Sequence, residues 1–319
     1  MQNTCKSLAT LGTRRIRAMS LAMLALATPV TTTCLADELP PYAVDGAVNR
    51  PVIFAEGAIS SSLPEFATAF SPSGDMVIFN RTSADRNNIM MMTSEFKDGS
   101  WTEPAVLSFT GPHRDVDPWF SSDGSRLYFS SNRPAAEGQE PGNWDTWYVE
   151  RHGMEWSEPM RLGPEVNTEA AEIFVSVTDD ETLFFRRSAG ENRAIYSARA
   201  AGDNFAAPEQ VQGLELPSAG NPSIARDGSF LIMSGIVEGR ASDLFISFSN
   251  GDGWTPAKNL GDSINTTFAE FAPSVSPDGK YLFFTSERPG VADATAEGRP
   301  PGDIYQIELR AIEGVEWPE

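Results

Sequence analysis

Four carboxylates, Glu65, Asp115, Glu172 and Glu270, stand at matching places in a sequence that repeats itself about every 50 residues. Each lies eight residues before the Ser or Asp of a tight-turn motif, and the matching position in the remaining copy, the fourth, is Ala219. Carboxylates gathered at one locus can do three things. They can hold a hard cation such as Ca²⁺, which takes oxygen ligands in flexible geometry. Asn167 and Asn265, each five residues before its glutamate, would then add amide oxygens. They can cleave a glycosidic bond, which needs two carboxyl groups at a set separation. Glu172 with Asp115 or Glu270 would be acid and base or nucleophile. Or each can pair with an arginine of its own repeat, since Arg81, Arg133, Arg187 and Arg288 each follow the second apolar segment of their copy and the copy with Ala219 lacks this arginine too.

Other chemistry is sparse. His113 and His152 are the only histidines, both in polar stretches, and no G-x-S-x-G, H-E-x-x-H, D-x-D-x-D-G or phosphate-loop motif occurs. Cys5 and Cys34 are the only cysteines, and neither falls within the repeats.

The repeats are the elements that must position the carboxylates. Five times an apolar segment runs into a Ser/Asp/Gly turn and then a second apolar segment: FSPSGDMVIF, FSSDGSRLYF, SVTDDETLFF, IARDGSFLIM and SVSPDGKYLFF. Aligned on Gly74, Gly124, Glu181, Gly228 and Gly279, these read as hairpins whose turn favours a left-handed glycine. A third strand follows (NIMMMT, DTWYVE, AIYSAR, DLFISF, DIYQIEL), then Trp101, Trp156, Phe205, Trp254 or Trp317, and in four copies a proline before a short fourth strand. The fifth copy ends in VEWPE without its fourth strand, and PVIF, Pro51 to Phe54, supplies one from the other end of the chain. The expectation is an all-β, five-bladed β-propeller of four-stranded blades over residues 37–319, closed by that N-terminal strand, with six blades as the alternative count.

The run ExxPxxSPDGKYLFFTSxRPG, followed by DIYxI, a GxW segment and LGxxIN, resembles the repeats of TolB-type, WD-repeat-like propeller proteins of the bacterial periplasm. Leu260 to Leu309 carries it best; copies three and four are degraded, with Glu181 in place of glycine and no Arg-Pro after GSFLIMS. The resemblance covers nearly all of the repeat region. It implies the propeller fold and an envelope protein as partner. Blade material begins by Pro51, so no separate domain is expected ahead of the ring.

In a propeller the carboxylates would stand at the start of the innermost strands, around one mouth of the channel. The loops between second and third strands open on the same face. Two of them are long, NRPAAEGQEPGNW and ERPGVADATAEGRPPG. Trp144 adds aromatic surface suited to a sugar or a protein hot spot. Trp119, inside a strand, reads as packing, and Trp101, Trp156 and Trp254 as core residues between blades.

Lys6, Arg14, Arg15 and Arg17 precede SLAMLALATPV, an apolar run too short to span a bilayer, so residues 1–36 read as a secretory signal peptide cleaved after Ala36. VTTT before Cys34 lacks the Leu and small residues of a lipidation site. Loss of four basic residues and no acidic one takes the formal charge from −20 to −24. Such a surface repels nucleic acid and anionic lipid. The expected function is a periplasmic or secreted, non-enzymatic binding propeller that engages an envelope protein or small cationic ligand at the acidic mouth, without a required cofactor. The alternative is a glycan-acting hydrolase or lectin.

Overall fold

A computed structural model describes residues 42 and 49–318, apart from 84, 86, 137–139, 154, 191, 203, 237–240, 252 and 294–300. The expected signal peptide and both cysteines lie outside the described residues. Among those residues, no helix is long and apolar enough to cross a membrane.

Five antiparallel sheets follow one another along the chain and form a five-bladed β-propeller. The innermost strands are Glu65–Phe70, Asp115–Phe120, Ala171–Val177, Gly220–Ile224 and Glu270–Val275. Each turns back into a second strand, then a third, and a two-residue fourth strand completes the blade, as Ala105–Val106 does in blade one. Blade five is completed from the opposite end of the chain, where Val52 pairs with Gln306 and Ile53 with Tyr305. The count is five, and closure by the N-terminal strand is as the repeats imply.

The hairpin turns show why their sequence recurs. Ser71, Ser121 and Ser276 accept the backbone N–H of Met76, Arg126 and Tyr281 at 3.1, 2.9 and 2.9 Å. The turn glycines hold φ between +70 and +76°, a region side chains enter at a cost. Blade three puts Glu181 there at φ +60°, and its turn is one residue shorter than the others.

Between blades the core is aromatic and aliphatic. Phe54, Phe70 and Phe283 meet at the seam of blades five and one, with centroids 4.6 to 5.7 Å apart. The repeat tryptophans do lie between sheets: Trp101 packs on Phe54, Trp254 on Phe184 of blade three, and Trp317 on Phe230 of blade four. They are only half-buried, however, because the short outer strands leave one edge of each indole to solvent. Trp101, Trp156 and Trp254 are therefore rim residues rather than core.

Phe54 is the buried end of the closing strand, 1% exposed. Phe54→Ala should cost about 3–5 kcal/mol in urea unfolding, and Trp156→Ala less, because its solvent-facing edge loses no contacts.

Candidate functional site

All four ring carboxylates are engaged. Glu65, Glu172 and Glu270 are fully buried and Asp115 is 1% exposed. Arg81 Nε donates to Glu65 at 2.7 Å and Arg187 Nε to Glu172 at 2.7 Å. Arg133 Nη2 reaches both oxygens of Asp115 at 2.7 and 2.8 Å, and Arg288 Nη2 stands 3.4 Å from Glu270. The second carboxylate oxygen of each glutamate takes a backbone N–H from four residues upstream: Ser61, Thr168 and Thr266, at 3.1, 3.0 and 2.9 Å. Burial nevertheless lifts the Glu65 carboxyl above its ordinary range, with Ser61 and Arg81 opposing.

The pairing follows from strand register. Glu65 lies opposite Arg81 and Glu172 opposite Arg187. In blades two and five a serine takes that place, Ser131 and Ser286, and the arginine two residues on reaches back over it. Each of three arginines also donates to the loop carbonyl six residues before its acid, Ile59, Val166 and Ile264. The unit is a clamp that fixes the loop between blades to the sheet. In blade four, Ala219 and Gly235 leave room that Leu216 fills, its Cδ2 only 2.8 Å from where a Cβ on Gly235 would stand. A hydrophobic plug does the work of the ion pair there.

Asn167 and Asn265 are not beside their glutamates. Asn167 accepts from Thr146 N–H at 2.8 Å and donates to the carbonyls of Thr146 and Leu162. Asn265 makes the matching bonds to Leu244, at 2.7 and 2.9 Å. Both amides stitch a loop to the third strand of the preceding blade. Trp144 is half-buried, and its carbonyl accepts from Glu172 N–H at 2.8 Å. Trp119 is buried, with Nε1 donating to Val177 O at 3.2 Å, a packing role.

The residues that line the channel lie two to four positions past the ring acids. Every innermost strand has a β-bulge there, with a left-handed residue: Ala67, Asp117, Phe174, Asn221 and Ala272, φ +45 to +65°. The freed amide is caught by the preceding blade: Ala67 N by Thr285 Oγ1, Asp117 N by Asn80 Oδ1, and Phe174 N by Ser130 Oγ. These residues enclose a space of about 30 Å³, enough for a water or two.

Asp117 is the ionisable member of the bulge column. It is 9% exposed, its Oδ2 has no hydrogen-bond partner, and burial pushes its carboxyl up to about 7, with Arg186 opposing. Arg186 occupies the column of Asn80, Ser130, Ser234 and Thr285, stacks on Phe174 at 4.6 Å and leaves Nε without a partner. Burial and Arg193 draw its guanidinium down while Asp117 counteracts. Aligning the repeats on the ring acids would have exposed both residues, as charges in otherwise neutral columns. No group of three or more His, Cys, Asp or Glu side chains is set to hold a metal among the described residues.

Neither a protein-family profile nor a curated protein matches the sequence. Solved structures do. TolB from Acinetobacter baumannii aligns with TM-score 0.48 and 13% identity over 77% of this chain, which spans 54% of TolB. An alpha-L-arabinofuranosidase from Lactobacillus brevis gives 0.52 and 13%, over 79% of this chain and 93% of the other. An exo-beta-1,3-galactanase from Clostridium thermocellum gives 0.53 and 16%, over 80% and 61%. At these identities the likeness is one of fold.

Two outcomes test this geometry. Arg187→Met leaves Glu172 buried without its cation and should cost about 3–5 kcal/mol in urea unfolding, whereas adding Glu172→Leu should restore most of it, as Leu216 does in blade four. For Asp117, the native state holds its proton up to about pH 7 while the unfolded chain releases it near 3.8. Its stabilising contribution is thus complete below pH 4 and lost as pH rises through 7. The advantage of Asp117→Asn over wild type should grow across that window, to on the order of 4 kcal/mol.

Proposed function

We propose that this chain is an exported, non-enzymatic binding propeller that holds a protein segment or a small cationic ligand at the channel mouth ringed by Glu65, Asp115, Glu172 and Glu270. The carrying observation is that each ring carboxylate has its own arginine. A calcium ion at the ring would have to displace those guanidinium groups, and glycan cleavage would need two of Asp115, Glu172 and Glu270 free to exchange protons. Binding needs neither. Asp117, just inside the mouth, keeps one oxygen unpaired, and that oxygen can accept a hydrogen bond from a donor that enters from above.

Export to the periplasm or beyond is supported by the basic leader and the apolar run behind it. The resemblance of the repeats to those of envelope proteins supports an envelope partner, and the net charge of −20 disfavours nucleic acid and anionic membrane surfaces. Trp144 and the long loops of blades two and five contribute to the contact. A glycan hydrolase or lectin is the competing reading, on fold alone.

The test is site-specific photo-crosslinking in the cells that make the protein. A benzophenone side chain at exposed Ser62 or Glu169, beside the ring, should capture one envelope partner, and the same probe at exposed Ser73, on the opposite face, should not capture that partner. Asp117→Asn should reduce the capture. Turnover on a glycan panel that disappears in Glu172→Gln would replace this reading with the hydrolase.

A further inference from the structure

On the face opposite the mouth, the five hairpin turns surround the gaps between neighbouring blades. Each turn is closed by one backbone bond, from the first turn residue to the carbonyl of Met76, Arg126, Thr182, Phe230 or Tyr281. Those five residues are equivalent, and the larger of their side chains narrow the gaps, to about 290 Å³ beside Met76. Phe230 packs on Phe248 and Trp317, Arg126 lies over Tyr148 at 4.9 Å, and Met76 is buried. Thr182 is the smallest of the five. Beside it, between blades three and four, a cleft of about 710 Å³ stands open.

The gap between blades five and one shows what such a cleft accepts. Tyr42, from the segment ahead of the first blade, is seated there and 4% exposed. Its ring meets Phe70, Tyr281 and Phe283 edge-on, with centroids 5.1, 5.8 and 6.1 Å apart. The ring lies so close to Gly74 that a Cβ there would stand 2.7 Å from Cε1. The phenol is placed beside Asp278, and burial together with that carboxylate pushes it above its ordinary range. The equivalents of Asp278, Tyr281, Phe283 and Gly74 in the next-but-one gap are Asp180, Thr182, Phe184 and Gly228. All four line the open cleft. Around Gly228 the nearest atom to a built Cβ is Thr178 Cγ2, at 3.9 Å.

We infer that the cleft between blades three and four is a second binding site, which receives a tyrosine side chain from an extended segment of a partner protein. The floor is Phe184, itself edge-on to Trp254, and the acceptor for the phenol is Asp180. A second observation favours a peptide over a free phenol. Arg226 lines the cleft in the turn column that holds Pro72 and Pro277 in blades one and five. Its Nη1 is buried without a hydrogen-bond partner, 3.8 Å from Asp179. A peptide carbonyl beside the seated tyrosine supplies the missing acceptor. Acidic residues at the rim suit a neutral or basic segment. The site lies on the face away from the ring carboxylates and stands whether or not the mouth binds a partner.

The test is fluorescence anisotropy of the full chain with labelled Leu-Pro-Pro-Tyr-Ala-Val, the sequence around Tyr42, and its Phe and Ala versions. The Tyr peptide should saturate, the Phe peptide should bind about fivefold more weakly for want of one hydrogen bond, and the Ala peptide should not bind. Free p-cresol, the tyrosine side chain without flanking carbonyls, should compete less well than the peptide, and equal competition would reduce the site to a small-phenol pocket. Thr182→Phe plugs the cleft as Phe230 does and should abolish binding with an undiminished Tm. Arg226→Gln serves as the second variant and should weaken the peptide but not p-cresol. Equal binding of the Tyr and Ala peptides, unchanged binding in Thr182→Phe, or no saturation by about 5 mM, a free energy too small for a built site, overturns the proposal. Self-association of the full chain that Tyr42→Ala abolishes assigns the cleft to a second copy instead.

Discussion

A ring of twisted sheets has no stability of its own until it closes, because the blades bury their faces only against one another. Here closure rests on Val52 and Ile53, which pair with Gln306 and Tyr305 and carry Phe54 into the seam. The innermost strand of blade five and that of blade one are thereby held as neighbours, with Thr68 and Ser274 hydroxyls 2.7 Å apart. Tyr42 seals the lower end of the same seam. Every channel-facing residue depends on this junction, since the channel exists only as the axis of the closed ring.

Around that axis the repeat carries two further devices, and both serve the fold. The arginine–carboxylate clamp ties each loop between blades to its sheet, and the left-handed bulge hands a backbone amide to the preceding blade. Copies that keep a device keep it with different residues. Arg81 faces Glu65 directly, whereas Arg133 reaches over Ser131, and Leu216 replaces the pair altogether. That freedom is what a structural role permits, because the requirement is a filled and neutralised space rather than a particular chemical group.

Function is better sought where one copy breaks the pattern at a stability cost. Asp117 and Arg186 put unpaired ionisable atoms into columns that are neutral elsewhere. Thr182 leaves a wider gap than its larger equivalents do, and Arg226 lines it with a buried nitrogen that has no hydrogen-bond partner. Unsatisfied buried groups of this kind call for a partner, whether a water, an ion or a ligand. The two sets lie on opposite faces, so under the two proposals one ring would hold two partners without competition.

Much of this was legible in the chain. Strand alternation, the Ser-x-Asp-Gly turns and the missing last strand specify five blades and their closure, because periodicity and turn chemistry are local and each copy repeats them. The joint absence of acid and arginine from blade four pointed to pairing before any coordinate did. What the sequence could not assign was direction. Whether Glu172 meets an ion or Arg187 depends on a cross-strand register, and Asn167 turned out to face the preceding blade because the loop carrying it folds back. The open cleft is a property of the space between two blades, set by a turn shortened by one residue and a threonine where others are large. No window of sequence contains both walls of that space, so only the tertiary structure could decide that it stays empty in one gap and is filled by Tyr42 in another.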